Sequence, residues 1–180
     1  MERSSRNGRL FWPVAAGFLV ADVATKWWAV RALAPMHTRH EVLGDFLTFT
    51  LLYNRGAAFG LHLGDFSRWI FTALTIGAVV ILTRMFLATA EGDRLRLVSL
   101  GMILGGACGN LIDRLRSAQG VVDFIDVGLG DMRWPTFNIA DIGVSCGAVL
   151  LAIVLWREDR VAAQQGPAGD PASTDASSAH

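Results

Sequence analysis

Apolar residues fall into four long runs separated by polar stretches. A helix that crosses the hydrocarbon layer of a bilayer needs about 20 mostly apolar residues. The runs at about Leu10 to Val30, Trp69 to Leu87, Leu97 to Ile112 and Pro135 to Trp156 meet that need and predict four spanning helices, the third slightly short. Arg84 breaks the second run near its end. Pro135 opens the fourth, at a position where its missing N–H costs a helix nothing. The connection from about Arg31 to Arg68 is long, and Phe46 to Tyr53 within it is rich in Phe, Thr and Leu, which predicts a strand. Asn54-Arg55-Gly56 then predicts a turn. Together these suggest a small sheet resting on the membrane surface. A second long connection runs from about Asp113 to Trp134, whereas that around Thr89 to Arg96 is short. The chain after Arg160 is rich in Ala, Ser, Gly, Pro and Asp, the composition of a disordered tail. The expected organisation is one membrane-embedded domain over residues 1–156 and a disordered cytoplasmic tail over 157–180.

Composition supports lipid as the solvent. Hydrophobic residues make up 52% and charged residues only 18%, whereas a soluble domain carries about a quarter charged. Formal net charge is zero, so no global field points to nucleic acid. Arg3, Arg6 and Arg9 before an apolar run imitate a signal peptide, but no small-residue cleavage site comes after them, and Asp22 and Lys26 interrupt the run. The segment therefore reads as a retained first span. With the N-terminus inside, Arg3, Arg6, Arg9, Arg84, Arg94, Arg96, Arg157 and Arg160 are cytoplasmic, and Arg31, Arg39, Arg55, Arg68, Arg114, Arg116 and Arg133 are outside. That balance is narrow, and the N-terminal cluster decides for cytoplasmic N- and C-termini. Cys108 and Cys146 lie in apolar runs without a Cys or His at ligand spacing, so they read as buried thiols rather than zinc ligands or a nucleophile. No metal or cofactor is expected. Gly101, Gly105 and Gly109 on the third run, and Gly143 and Gly147 on the fourth, predict close helix approach. Gly105-Gly106 is no phosphate loop, since no strand precedes it and no Gly-Lys-Ser/Thr comes after it.

Ionisable groups inside spans are costly, and each marks a candidate site. Asp22 and Lys26 stand one helical turn apart and predict a neutralising ion pair that tethers helices. Asp113 falls in Gly109-Asn110-Leu111-Ile112-Asp113-Arg114, Asp123 in Val121-Val122-Asp123-Phe124-Ile125-Asp126, and Asp141 in Phe137-Asn138-Ile139-Ala140-Asp141. The shared Asn-x-x-Asp spacing would set each Asn beside its Asp on one helix face, where the amide can orient the carboxylate. Asp113 ends the third span, Asp123 lies in the connection, and Asp141 sits about 9 Å below the start of the fourth span. All three thus gather at one membrane face, whichever way the chain is inserted. Two neighbouring carboxylates cannot both ionise easily, so one keeps its proton while the other activates a water. Asp113, near Arg114 and Arg116, reads as ionised and paired; Asp123 and Asp141 have apolar neighbours and no adjacent cation. They are the preferred pair, with Asp113 an open alternative on these residues alone. A Ser–Lys mechanism fits poorly, because Lys26 has Asp22 one turn away and Ser145 lies deeper than Asp141. His37, His40, His62 and His180 form no ligand motif. A carboxylate-lined transporter or proton channel is the main rival, and a scaffold held by glycine ridges a second.

The chain resembles the lipoprotein signal peptidases (signal peptidase II) over roughly Phe11 to Trp156. The resemblance rests on Asp22-x-x-x-Lys26, Asn54-Arg55-Gly56-Ala57-Ala58-Phe59-Gly60, Gly105-Gly106-Ala107-Cys108-Gly109-Asn110-Leu111-Ile112-Asp113-Arg114, Val121-Val122-Asp123-Phe124 and Phe137-Asn138-Ile139-Ala140-Asp141, in that order. It implies an all-α polytopic membrane protein: four transmembrane helices, a small outer β-cradle and a short interfacial helix. It also implies an inner-membrane aspartic endopeptidase that cleaves diacylglyceryl-modified prolipoproteins just before the lipidated cysteine. The implied catalytic dyad is Asp123 and Asp141, with Asn54, Arg55, Asn110, Asp113, Arg114 and Asn138 contacting substrate or supporting the site. The expected partners are lipidated prolipoprotein, membrane lipid and globomycin-type cyclic peptide inhibitors, with the enzyme a monomer.

Overall fold

The first apolar run folds as a single long helix, α1 (Glu2–Ala32), in a computed structural model that describes residues 2–56 and 66–165. After it come β1 (Arg39–Leu43), β2 (Leu47–Asn54), α2 (Ser67–Ala88), α3 (Arg94–Arg116), β3 (Val121–Leu129), β4 (Met132–Arg133) and α4 (Ile139–Gln165). Three of the helices, α2, α3 and α4, are long and apolar enough to cross a membrane. Asp22 and Lys26 dilute the apolar character of α1, but both are buried at 0% and 4% exposure, so these charges face protein rather than lipid.

α3 is the central helix, far more of it buried than of α2 or α4. Small residues let its neighbours approach. A Cβ on Gly105 would lie 2.4 Å from the Ala15 carbonyl oxygen of α1, and one on Gly106 would lie 2.4 Å from the Ala140 oxygen of α4. Neither site admits a side chain without moving a backbone. Phe11, Leu82, Phe86, Leu97, Leu100 and Leu104 fill the space among α1, α2 and α3, with Phe11 stacked on Phe86 at 4.1 Å.

The strands form one antiparallel sheet in the order β1-β2-β3-β4. It rests on the far end of α1, where Ala29 and Leu33 pack against Leu51, Val122 and Phe124. Asp126 anchors it: its carboxylate accepts hydrogen bonds from Arg133 Nε at 2.6 Å, Thr48 Oγ1 at 3.1 Å and Thr50 Oγ1 at 3.3 Å. Leu52 stands opposite Asp123 in the β2–β3 register and Asn54 opposite Val121, which makes Asn54 the diagonal neighbour of Asp123.

Several sequence expectations need correction. The fourth helix starts at Ile139, not at Pro135, because the preceding segment pairs along β3: Trp134 N–H donates to the Val127 oxygen at 2.8 Å and Phe137 N–H to the Ile125 oxygen at 3.0 Å. Asp141 therefore lies in the first turn of α4 rather than deeper. The expected disordered tail is helical over residues 157–165, a stretch of good helix formers that Glu158 fastens to Arg96 of α3. The rest of that tail lies outside the described residues, as do Ala57 to Gly60 and His62. The connection expected from Asp113 is shorter, since α3 runs to Arg116 and β3 takes up most of the segment from there to Trp134. Cys108 is only half-buried and Cys146 is exposed, because an apolar run in a membrane helix can turn its side chains to lipid as well as to protein. No separate interfacial helix is present among the described residues.

Candidate active site

Lys26 is where α1 meets the rest of the bundle. An ammonium has three N–H donors and no acceptor. Its nitrogen lies 2.7 Å from Asp22 Oδ2, 3.0 Å from Asp113 Oδ2 and 2.8 Å from Asn110 Oδ1. Each donor thus has a partner, and two carboxylates share one cation. The other Asp22 oxygen accepts the Ala140 N–H at 2.9 Å, an unpaired donor in the first turn of α4. The pair tethers α1 to both α3 and α4. Asp113 is held by Lys26, not by the arginines adjacent in sequence; Arg114 donates instead to the Asn110 carbonyl oxygen, at 3.4 Å.

Of the two Asn-x-x-Asp segments, the second pairs internally, through backbone N–H groups rather than amide to carboxylate, and the first reaches across to it. Asn110 Nδ2 crosses from α3 to donate to Asp141 Oδ1 at 2.9 Å. Asn138 is the N-cap of α4, and it exchanges bonds with Asp141: the Asp141 N–H donates to Asn138 Oδ1 at 3.0 Å, and the Asn138 N–H to Asp141 Oδ2 at 3.2 Å. This is a capping box, in which a side chain at the cap and one three residues on satisfy each other's orphan donors. The Asn138 amide nitrogen meanwhile donates to Asp123 Oδ1 at 2.7 Å, and Asn54 Nδ2 donates to Asp123 Oδ2 at 3.1 Å. All four oxygens of Asp123 and Asp141 therefore have a donor, drawn from three different parts of the chain.

Asp123, on β3, is almost fully buried, at 3% exposure. Burial pushes its carboxyl up to about 7 from the usual carboxylate range, and the nearby Asp141 charge pushes in the same direction; the hydrogen bonds from Asn54 and Asn138 and the Lys26 charge oppose the shift. Both aspartates line a cavity of about 430 Å³ with Asn54, Asn110, Arg114 and an apolar wall that includes Trp134, Phe137, Ile142 and Val144. A second cavity, of about 520 Å³, lies on the sheet side. It shares Asn54, Asp123, Pro135 and Thr136 with the first and adds Arg55, His37 and Gln119. Asp123 thus stands on the boundary between an apolar and a more polar space.

Sequence reasoning misses Lys26 as the partner of Asp113. It also misses residues 134–137 as a cavity wall, because it ends a connection at Trp134 and starts a helix at Pro135. Cys146, Ser145 and Asp141 line one cavity, but Lys26 is fully engaged elsewhere and is no free base for Ser145. Among the described residues no group of His, Cys, Asp and Glu could hold a metal ion.

Gly109 is what admits Asp22 to this network. A Cβ there would lie 2.3 Å from Asp22 Oδ2. Gly109→Ala should displace the carboxylate, lower stability by about 2–4 kcal/mol through overpacking and a weakened buried pair, and reduce activity. Thermal unfolding in detergent checks this; a midpoint within about 2 °C of the parent would contradict it.

Comparisons with known proteins agree with one another. Residues 14–157 match a family model described as signal peptidase (SPase) II. A lipoprotein signal peptidase of Burkholderia mallei (strain SAVP1) is 49% identical over 114 residues, 62% of this chain and 67% of that protein. Another, of Nitratidesulfovibrio vulgaris (strain DP4), is 36% identical over 156 residues, 83% of this chain and 91% of its own. A solved bacterial membrane enzyme, determined by the in meso method at 2.3 Å, superposes with a TM-score of 0.73 and 29% identity, covering 87% of this chain and 91% of that one.

Proposed function

The chain belongs to the signal peptidase II family, and from that premise we propose that Asp123 and Asp141 form the catalytic dyad of an aspartic endopeptidase that removes the signal peptide from diacylglyceryl-modified prolipoproteins. The observation that carries the assignment is the bracing of both carboxylates, oxygen by oxygen, at the wall of one cavity. Asp113 is the weaker candidate because Lys26 and the Val122 N–H both engage its Oδ2.

The dyad holds one proton between its two carboxyls. The ionised partner takes a proton from water as the oxygen attacks the scissile carbonyl carbon. The protonated partner gives its proton to the carbonyl oxygen. On collapse the C–N bond breaks, the carboxyl that took the water proton gives it to the leaving amine of the lipidated cysteine, and a hydroxyl of the intermediate returns a proton to the other carboxylate. The amides hold the acid and base in place, so positioning supplies part of the rate. Asn54 and Arg55 border the polar cavity, where they contact the chain around the cleavage point; Arg114 faces the apolar cavity beside the dyad.

In this proposal α1 is a fourth span, its charges buried against α3 and α4, and residues 1–156 act as one membrane-embedded unit in the inner membrane. The termini are cytoplasmic, the sheet and dyad lie at the outer face, and the enzyme works as a monomer without a metal or cofactor. Lipid and globomycin-type peptides are its other ligands. A carboxylate-lined transporter would need ionisable groups along the whole path, whereas these gather at one end.

The pH dependence stems from Asp123. Since its carboxyl is raised to about 7, the singly protonated dyad is lost as pH rises through that value. The kcat/KM for a lipidated precursor should then fall, approaching about tenfold per pH unit on the alkaline side. The Asn54 hydrogen bond favours the ionised form, so Asn54→Ala should move that limb to higher pH. A limb that stays in place, or moves lower, would count against Asp123 as the titrating acid.

A further inference from the structure

The end of the bundle opposite the dyad holds a cavity that the peptidase reading does not use. Arg9 and Lys26 are both on α1, 17 residues apart in the numbering, so this end lies roughly 25 Å away along the helix at about 1.5 Å per residue. The cavity has a volume of about 570 Å³. Asn7, Leu10 and Leu97 form its floor, and Arg6, Arg9, Arg94 and Glu91 its rim.

The floor is fixed by structure. Asn7 is buried and donates to the Thr89 oxygen at 3.0 Å, which holds the start of α1 against the connection between α2 and α3. Leu97 is buried in the core of the bundle. The rim carries three guanidinium groups and one carboxylate. Glu91 is 3.6 Å from Arg6, while Arg9 and Arg94 have no carboxylate partner among the described residues. A floor of two leucines and one amide, under a cationic rim, matches a phospholipid: phosphate at the rim, glycerol and the first methylenes below. Basic pockets between helices at the cytoplasmic side of a membrane protein recognise anionic headgroups in this way.

We propose that this cavity binds the phosphate headgroup of an anionic phospholipid, with Arg9 and Arg94 as its principal contacts. The site depends on membrane embedding but not on the identity of the dyad. Binding should fasten the N-terminus of α1 to the α2–α3 connection and raise thermal stability.

The test uses the full chain in zwitterionic micelles, titrated with phosphatidylglycerol or phosphatidylcholine and monitored by native mass spectrometry. The parent should retain one phosphatidylglycerol under activation that strips phosphatidylcholine. Arg9→Gln/Arg94→Gln should lower its affinity about tenfold or more, and Arg9→Lys/Arg94→Lys should restore part of it. Arg157→Gln/Arg160→Gln, a charge-matched change on the same side of the membrane, should leave it unchanged. Circular dichroism verifies that each variant is folded. Equal retention of the two lipids, or equal losses in both glutamine double variants, would overturn the proposal in favour of a diffuse surface field. Full displacement by inorganic phosphate at the lipid's own concentration would also overturn it, since the site would then take the free anion.

Discussion

Asp141→Asn should lower kcat/KM for a diacylglyceryl-modified precursor by about a thousandfold or more, the scale of general acid–base catalysis, while the protein still folds. Asp141 has two tasks that this substitution separates. As half of the capping box it accepts the Asn138 N–H at 3.2 Å, and an amide oxygen can do the same. Its other oxygen accepts from Asn110 Nδ2 at 2.9 Å, where an amide would oppose NH₂ to NH₂. Asn110 cannot turn over to accommodate it, because its oxygen already accepts from Lys26. The variant should therefore lose about 1–2 kcal/mol of stability, the cost of one unmet buried polar contact. Asp123→Asn should be equally inactive but different in stability. The folded parent holds a proton on Asp123 up to about pH 7, which the unfolded chain releases near about 3.9. The parent's stability from this group is thus fully present below the unfolded value and is lost as pH rises through about 7. The Asn variant should lack that loss and be relatively more stable at alkaline pH. Cleavage above about a tenth of the parent rate by either variant would remove the dyad assignment.

Lys26→Met should have the largest effect on the fold. It leaves Asp22 and Asp113 without the cation they share and takes a donor from Asn110. Removing one partner from a buried pair costs about 3–5 kcal/mol, and here the same ammonium serves two carboxylates. Little folded protein should accumulate. Lys26→Met with Asp22→Asn should recover part of the stability, since the second change removes one orphaned charge and keeps an oxygen for the Ala140 N–H. Activity should return less than stability, because Asn110 would still lack the donor that fixes the amide on Asp141. Thermal midpoints and cleavage rates of the two variants separate these effects. A single variant with parental stability would show that Lys26 is not the hub.

Whatever depends on local period is legible in the sequence. Lys26 lies one turn after Asp22, and the two do meet. The glycines at four-residue spacing do face neighbouring helices. Partners across the chain are harder to read. Asn-x-x-Asp has the same spacing on a helix face and in a capping box, and only the position of the helix start distinguishes them. Pro135 suits a first turn and so misplaces that start, while the segment instead pairs along β3. β3 itself reads as a connection. Its first six residues are nearly all buried, so it lacks the alternation of a strand with one solvated face. The cluster of aspartates is visible; the amides that brace them are visible only as residue types.

The tie between Asp22 and the Ala140 N–H joins residues separated by 118 positions. Ribosomes add about 5–20 residues per second, so roughly ten seconds of translation part the two ends of that bond. Asp123 is made only in the last part of this interval and Asp141 after it, so until then the amide of Asn110 has no carboxylate on α4 to hold. With the proposed dyad, the nascent chain cannot cleave other polypeptides in the membrane until its last helix has been inserted. Under that assignment, assembly of the final span is the activation step.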